Sequence, residues 1–553
     1  MRSANGRGWR WGLLAAAGVG ALALATPSAL GARPSGRAGC SPTRTAIAYD
    51  TAGHALTHQP QGAPVPCLVF TGYATQETHL AVTRNGTVVH EPAVVTPGLL
   101  GTAFVPGAPG PHPWQPTAPA GLAVSKDGGR TWQFVKPAGS YWTGSDAALY
   151  TDPDTGRLFE ETLSPGSIPS GGQLAPQEQT PGGHATLLVS GDDGATWDLT
   201  ALTGFLYQEN ARYTSAPPPR GQARTSGGYP NVTYWCGNRD VGIFEPLIFE
   251  RECYRSLDGG TTWEMRGILF TNPVPQHAEC GADREDINSL DGNYPQGAVD
   301  GSLYVVVSCT SATSPTAHNG RTFLARSTDE AASFPILSAP GATGGKAAPV
   351  TLPLPANAGW PELRVGRVGD ADVLYLVYDV STAKGPRIEL RTATVPAFAG
   401  PTALTKPLQW TAPVSVTPTG LLSIDRWAVT ARGAEVAVSS IGQAPAGIYN
   451  GYLTVLPNAR ALVPTVWIAP LNDPARPLAR SSAVSAKDDF IDVAIGPNGD
   501  PWGTFFSPCS AEPAADAARD PACEGAYFNG GVVNSGMEGG NDRGVVGSLA
   551  FPR

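Results

Sequence analysis

The sequence predicts an all-β chain: a β-propeller of four-stranded antiparallel blades with long loops. Seven blades fit it best, and the spacing leaves six or eight open. Three observations predict it. Gly and Pro supply 67 + 53 = 120 of 553 residues, punctuation for many short strands joined by turns. The apolar fraction is nonetheless 41% with 13 Trp, which argues against disorder. An octapeptide of fixed chemistry returns at near-constant spacing, the mark of a stacked repeat.

Taken in chain order, the first segment is a targeting signal. Arg2, Arg7 and Arg10 precede an apolar run from Trp11 to Ala25, and small residues follow at Ala29, Gly31 and Ala32. A basic start, a short apolar core and a small-residue cleavage zone read as a secretory signal over 1–32, leaving 33–553 as a single domain. The run is shorter than the ~20 residues of a spanning helix, so no transmembrane segment is expected after cleavage. An uncleaved anchor is the alternative. Export suits the cysteines, eight in all at Cys40, Cys67, Cys236, Cys253, Cys280, Cys309, Cys509 and Cys523. Loop-closure entropy favours neighbours, giving 40–67, 236–253, 280–309 and 509–523. No C-x2-C or clustered Cys/His spacing supports a metal. The expected location is extracellular or at the cell envelope.

The repeat reads S-x-D-x-G-x-T-W. It occurs at Ser125, Asp127, Gly129, Thr131 and Trp132, at Ser190, Asp192, Gly194, Thr196 and Trp197, and at Ser256, Asp258, Gly260, Thr262 and Trp263. A fourth copy keeps Ser327, Asp329 and Phe334 but has Ala331 where the others have Gly. The starts lie 65, 66 and 71 residues apart (190 − 125, 256 − 190, 327 − 256). Asp accepts hydrogen bonds from the turn's own amides, Gly supplies a backbone conformation that a side chain opposes, and Trp packs back on the sheet. Units follow at about 45–135, 140–203, 225–270, 290–340, 360–412, 422–470 and 488–551. The later ones keep only the strand rhythm, as in Val373–Tyr378 with Ile388–Ala393.

This pattern resembles the Asp-box of sialidase-superfamily propellers. Leu149–Arg157, Tyr229–Cys236 and Asp489–Asp500 look like features of secreted actinobacterial sialidase-like proteins, so the resemblance covers roughly residues 100–550. It implies an exo-acting glycosidase in which three Arg hold the substrate carboxylate, a Tyr activated by Glu is the nucleophile and an Asp is the acid/base. The chain departs from that pattern at the first Arg: Thr43-Arg44-Thr45 lacks the family's Pro context.

A propeller's innermost strands converge on one channel, so polar groups at the strand starts are the site candidates. Asp146, Glu362, Asp425 and Asp488 are the catalytic candidates, and Arg364, Arg426, Tyr229, Asn231 and Asp489 the substrate-binding ones. Positions 362, 425 and 488 recur every 63 residues, about one blade. Carboxylates beside Arg at equivalent places would concentrate charge in a concave site. Against this stands the bland reading, in which each caps a strand end. The net charge of 37 − 46 = −9, without a basic run after residue 10, excludes an electrostatic nucleic-acid binder. No zincin, nucleophile-elbow, P-loop or dinucleotide motif occurs. No cofactor or metal is expected, with a structural Ca2+ left open, and a monomer is expected. Two functions fit: a glycoside hydrolase of sialidase type or on another acidic glycan, and a non-catalytic propeller binding a glycan or cell-surface protein.

Overall fold

The computed structural model describes residues 38–74, 78–91, 122–135, 148–162, 186–201, 211–219, 227–241, 248–272, 276–281, 284–285, 294–311, 314–341, 346–475, 477–478, 491–508 and 542–552. They form seven antiparallel blades around one axis. The innermost strands are His79–Val82, Ala148–Thr151, Arg212–Ala216, Gln296–Gly297, Ala358–Val368, Ser423–Arg432 and Val493–Ile495, blades 1 to 7 in order. Each touches the next, and the last touches the first. All run in one sense, from what we call the upper face to the lower face.

Middle strands of a blade are packed on both faces by neighbouring blades, so they read as continuous apolar runs rather than alternating ones. Val373–Tyr378 in blade 5 and Leu303–Val307 in blade 4 are wholly buried at every position. Each such aliphatic side chain contributes about 1.5–3 kcal/mol. Blade 4 has an irregular outer edge: beside Ser314–Ser327 the fourth position is taken by isolated bridges to Ile336 and Thr351.

The four boxes form one turn, four times over, at the lower face. Asp127, Asp192, Asp258 and Asp329 each accept a Ser hydroxyl two residues before at 2.8–2.9 Å. Each also accepts the hydroxyl of Thr131, Thr196, Thr262 or Ser333 at 2.6 Å. The Gly positions take φ of +88°, +78° and +95° at Gly129, Gly194 and Gly260. In the fourth copy Glu330 and Ala331 adopt the left-handed region themselves, at +57° and +65°. The turn therefore survives without its glycine because the Ser327 and Asp329 bonds remain.

Two expectations need correction. The chain before residue 75 is not part of the first blade. Val65–Ala74 pairs with Asp542–Ala550 as the outer strand of blade 7, and Ile47–Tyr49 adds a fifth strand to blade 6. Blade 3 begins at Arg212 rather than near 225, because its short inner strand Arg-Tyr-Thr-Ser-Ala carries no apolar run. Disulfides 40–67, 236–253 and 280–309 are present as expected. Cys509 and Cys523 lie outside the described residues, as does the signal segment. Among the described residues no helix is long and apolar enough to cross a membrane.

Candidate functional site

The innermost strands enclose a cavity of about 460 Å³ on the axis. Its wall carries Arg84, Arg212, Arg364, Arg367 and Arg432 against Asp152, Asp154 and Asp492. A protein with a net charge of −9 thus gathers five guanidinium groups around one cavity. A concave cationic wall of this kind favours an anionic ligand.

Arg364 is fixed in place. Its Nε donates to the Val429 carbonyl of blade 6 at 2.7 Å, and its Nη2 lies 2.9 Å from Glu362 Oε2. Strand alternation puts residues 362 and 364 on one face, which is why the pair forms. Arg212, at the start of blade 3, sits 5.6 Å from the Tyr294 ring centre, and buried Arg251 stacks on the same ring at 4.4 Å. Asp492 ties blade 7 to blade 1: it accepts the Leu80 amide at 3.0 Å and lies 3.7 Å from His79 Nδ1.

Of the residues singled out from the sequence, Arg364 alone stands on the described cavity wall, with Glu362 joined to it. Asp425 and Arg426 begin the inner strand of blade 6, just outside the wall. Asp425 accepts the Ser423 hydroxyl at 2.8 Å, and Arg426 donates to the Asp425 carbonyl at 2.7 Å. Asp146, Asp488 and Asp489 lie outside the described residues. Tyr229 and Asn231 sit at the lower face instead, before the second strand of blade 3. Tyr229 Oη donates to Asp152 Oδ2 at 2.6 Å, and Asn231 Nδ2 reaches both Asp152 oxygens. Sequence alone does not say at which end of a strand a turn falls. Arg44 is no channel residue: it donates to the carbonyls of Pro470, Leu471 and Asn472 on blade 6.

The implied Tyr nucleophile finds no support at Tyr150 or Tyr213 on the cavity wall. Burial pushes the Tyr150 hydroxyl up, although it bonds Ser215 Oγ at 2.7 Å, and burial pushes up Tyr213 as well. Neither environment activates a phenolate.

The upper face holds groups that sequence reading passed over. Glu91 in blade 1 and Glu160 in blade 2 are wholly buried and face each other one strand behind the channel wall. Burial is the main influence on both, pushing Glu160 to about 8 and Glu91 well above the carboxylate range. Among the described residues none of their four oxygens has a hydrogen-bond donor, an environment that favours the protonated carboxyl. Glu161, on the other strand face, accepts Trp235 Nε1 at 2.6 Å. The available signal was Glu160-Glu161 inside a strand whose two faces are both buried. Between blades 3 and 4, His277 Nδ1 meets Glu285 Oε1 at 2.6 Å and its Nε2 meets the Phe334 carbonyl at 2.8 Å. Both partners are acceptors, an arrangement that favours the protonated ring. Burial alone would lower its pKa, and the Glu285 hydrogen bond and charge more than offset that.

No protein-family model matches the chain, and no curated protein matches it. Solved structures similar to it include an α-L-arabinofuranosidase of Fusarium graminearum in complex with an iminosugar inhibitor. It is 12% identical over 73% of this chain and 92% of that one, with a TM-score of 0.37. The α-L-arabinanase of Penicillium chrysogenum complexed with arabinobiose is 14% identical over 59% and 92%, with a TM-score of 0.33. YCF48 bound to D1 peptide is 10% identical over 77% and 98%, with a TM-score of 0.28. None of these three is described as a sialidase.

Proposed function

We propose that the protein is an exported glycoside hydrolase acting on acidic glycans, with its active site at the upper mouth of the channel. The observation that carries this reading is the pair of guanidinium groups, Arg212 and Arg364, on the upper part of one cavity wall in an otherwise acidic protein. A sugar carboxylate is a planar anion that Arg receives through paired N–H donors. Arg364, braced by Val429 and Glu362, and Arg212, stacked on Tyr294, are placed to receive it. Glu362 and Asp425 supply carboxylates for acid/base work beside it. Sialosides are the first substrates to test, since their carboxylate adjoins the scissile centre, and uronides the second. Three disulfides support an oxidising compartment.

The test is turnover of fluorogenic sialosides and uronides by the mature protein. Asp425→Asn and Arg426→Ala are each expected to lower kcat/KM by about 100-fold or more with the melting temperature unchanged. Full activity in both variants discards the assignment. Saturable binding of an acidic glycan without turnover of any glycoside would instead support a non-catalytic propeller.

A further inference from the structure

The lower end of the same channel carries a second group of arginines, separate from the mouth just described. Arg367, near the end of the blade 5 inner strand, reaches across the axis. Its Nη2 donates to the Ser215 carbonyl of blade 3 at 2.7 Å, and its Nη1 lies 3.3 Å from Asp154 Oδ2, beyond blade 2. Arg84, in the blade 1 turn, donates to the Asp154 carbonyl at 3.3 Å. Arg432, closing the blade 6 inner strand, donates to the Gly496 carbonyl of blade 7 at 2.7 Å. Guanidinium groups from three blades therefore line the lower part of one cavity.

Their donors outnumber their acceptors. Each guanidinium carries about five N–H groups, roughly fifteen in all. The four contacts above engage four of them, and no further acceptor binds these three side chains among the described residues. The nearby negative charge is largely committed elsewhere. Asp152 is fully buried and accepts Tyr229, Asn231 and the backbone amides of Asp154 and Thr155. Asp154, half exposed, lies against Arg367, and half-buried Glu435 stands across the strand pair from Arg432.

From this surplus of convergent donors we infer that the lower end of the channel binds an oxyanion, seated between Arg367, Arg432 and Arg84. The ligand class is a phosphate, sulfate or carboxylate group, free or carried on a glycan. The site does not depend on the hydrolase reading and stands whether or not the upper mouth is catalytic.

Calorimetric titration of the mature protein with inorganic phosphate, sulfate and acetate, in low-chloride buffer, tests it. At least one of the three is expected to bind saturably. Preference for phosphate or sulfate identifies a tetrahedral dianion, and preference for acetate a carboxylate. Arg367→Gln and Arg432→Gln are each expected to weaken that binding about tenfold, while Asp154→Asn strengthens it. Arg432 is exposed and holds one backbone carbonyl, so its variant stays informative if Arg367→Gln fails to fold. No saturable binding of any of the three anions overturns the inference. So does an affinity unchanged by Arg432→Gln, or one lost through Arg364→Gln at the upper mouth while Arg432→Gln leaves it intact.

Discussion

Asp127 and Glu160 are carboxylates at opposite faces of one ring, and their surroundings push them in opposite directions. At the lower face, the Thr131 hydroxyl and amide, with the Ser125 hydroxyl, hold Asp127 down to about 2. At the upper face, burial without such donors pushes Glu160 up to about 8, with Glu91 alongside. The lower aspartates are therefore complete as they stand: every oxygen serves its own turn. Among the described residues the upper pair has no donors, the condition under which a carboxyl keeps a proton at neutral pH. The lesson is that acidic residues near a channel differ less by sequence context than by whether local N–H and O–H groups have already claimed them.

The comparison can be broken first at the lower turns, where the largest effect is expected. A methyl at Gly260 would stand 2.7 Å from Val189 Cγ2 and 2.8 Å from Phe159 Cε1, in a backbone at φ +95°. Gly260→Ala is expected to destabilise by about 2–4 kcal/mol in denaturant melts. A change under about 0.5 kcal/mol would show that the turn yields easily. At the upper face, the raised Glu160 value means that the folded state binds the extra proton. Stability then falls as pH rises from the unfolded carboxyl value towards 8, by about 1.4 kcal/mol per pH unit for each proton. Glu160→Gln should flatten that slope between pH 5 and 8, and parallel curves for variant and wild type would show that Glu160 keeps no extra proton in the folded state.

Smaller effects sharpen the contrast. The imidazolium of His277 stabilises the fold below the ordinary His value, and that contribution is lost as pH rises through the raised folded value. His277→Gln should thus destabilise by about 1–2 kcal/mol at pH 5.5 and by less at pH 9, read from urea midpoints. A penalty that does not change with pH would mean that the ring is neutral. Asp127→Asn, at an exposed turn, is expected to shift neutral-pH stability by only a few tenths of a kcal/mol. Its wild-type contribution disappears as pH falls from the unfolded Asp value towards 2, which an acid titration would follow.

The propeller was legible because its lower turns need particular residue types. Asp, Thr and Gly at fixed offsets are the direct consequence of a turn that satisfies its own amides, so the repeat exposes the blades. Where that chemistry stops, legibility stops too. The inner strand of blade 3 and the two N-terminal strands carry no turn signature, and the places of the N-terminal pair depend on partners hundreds of residues away. The Glu362–Arg364 pair could be foreseen from alternation on one strand. The downward placement of Tyr229 and Asn231 could not, because it depends on which strand of the blade follows them. Glu91 and Glu160 went unnoticed because their meeting is a contact between blades, which no local pattern encodes.

The seam in blade 7, where Val65 lies opposite Ala550, makes neighbours of two strands nearly five hundred residues apart. Order along the polypeptide is then largely arbitrary with respect to the ring: a permuted gene that joins these two strands and opens between two other blades should assemble the same circle. During synthesis the same seam imposes a wait. The strand at residue 65 waits for its partner until the nine-residue strand Asp542–Ala550 emerges, so an edge made early stays open longest.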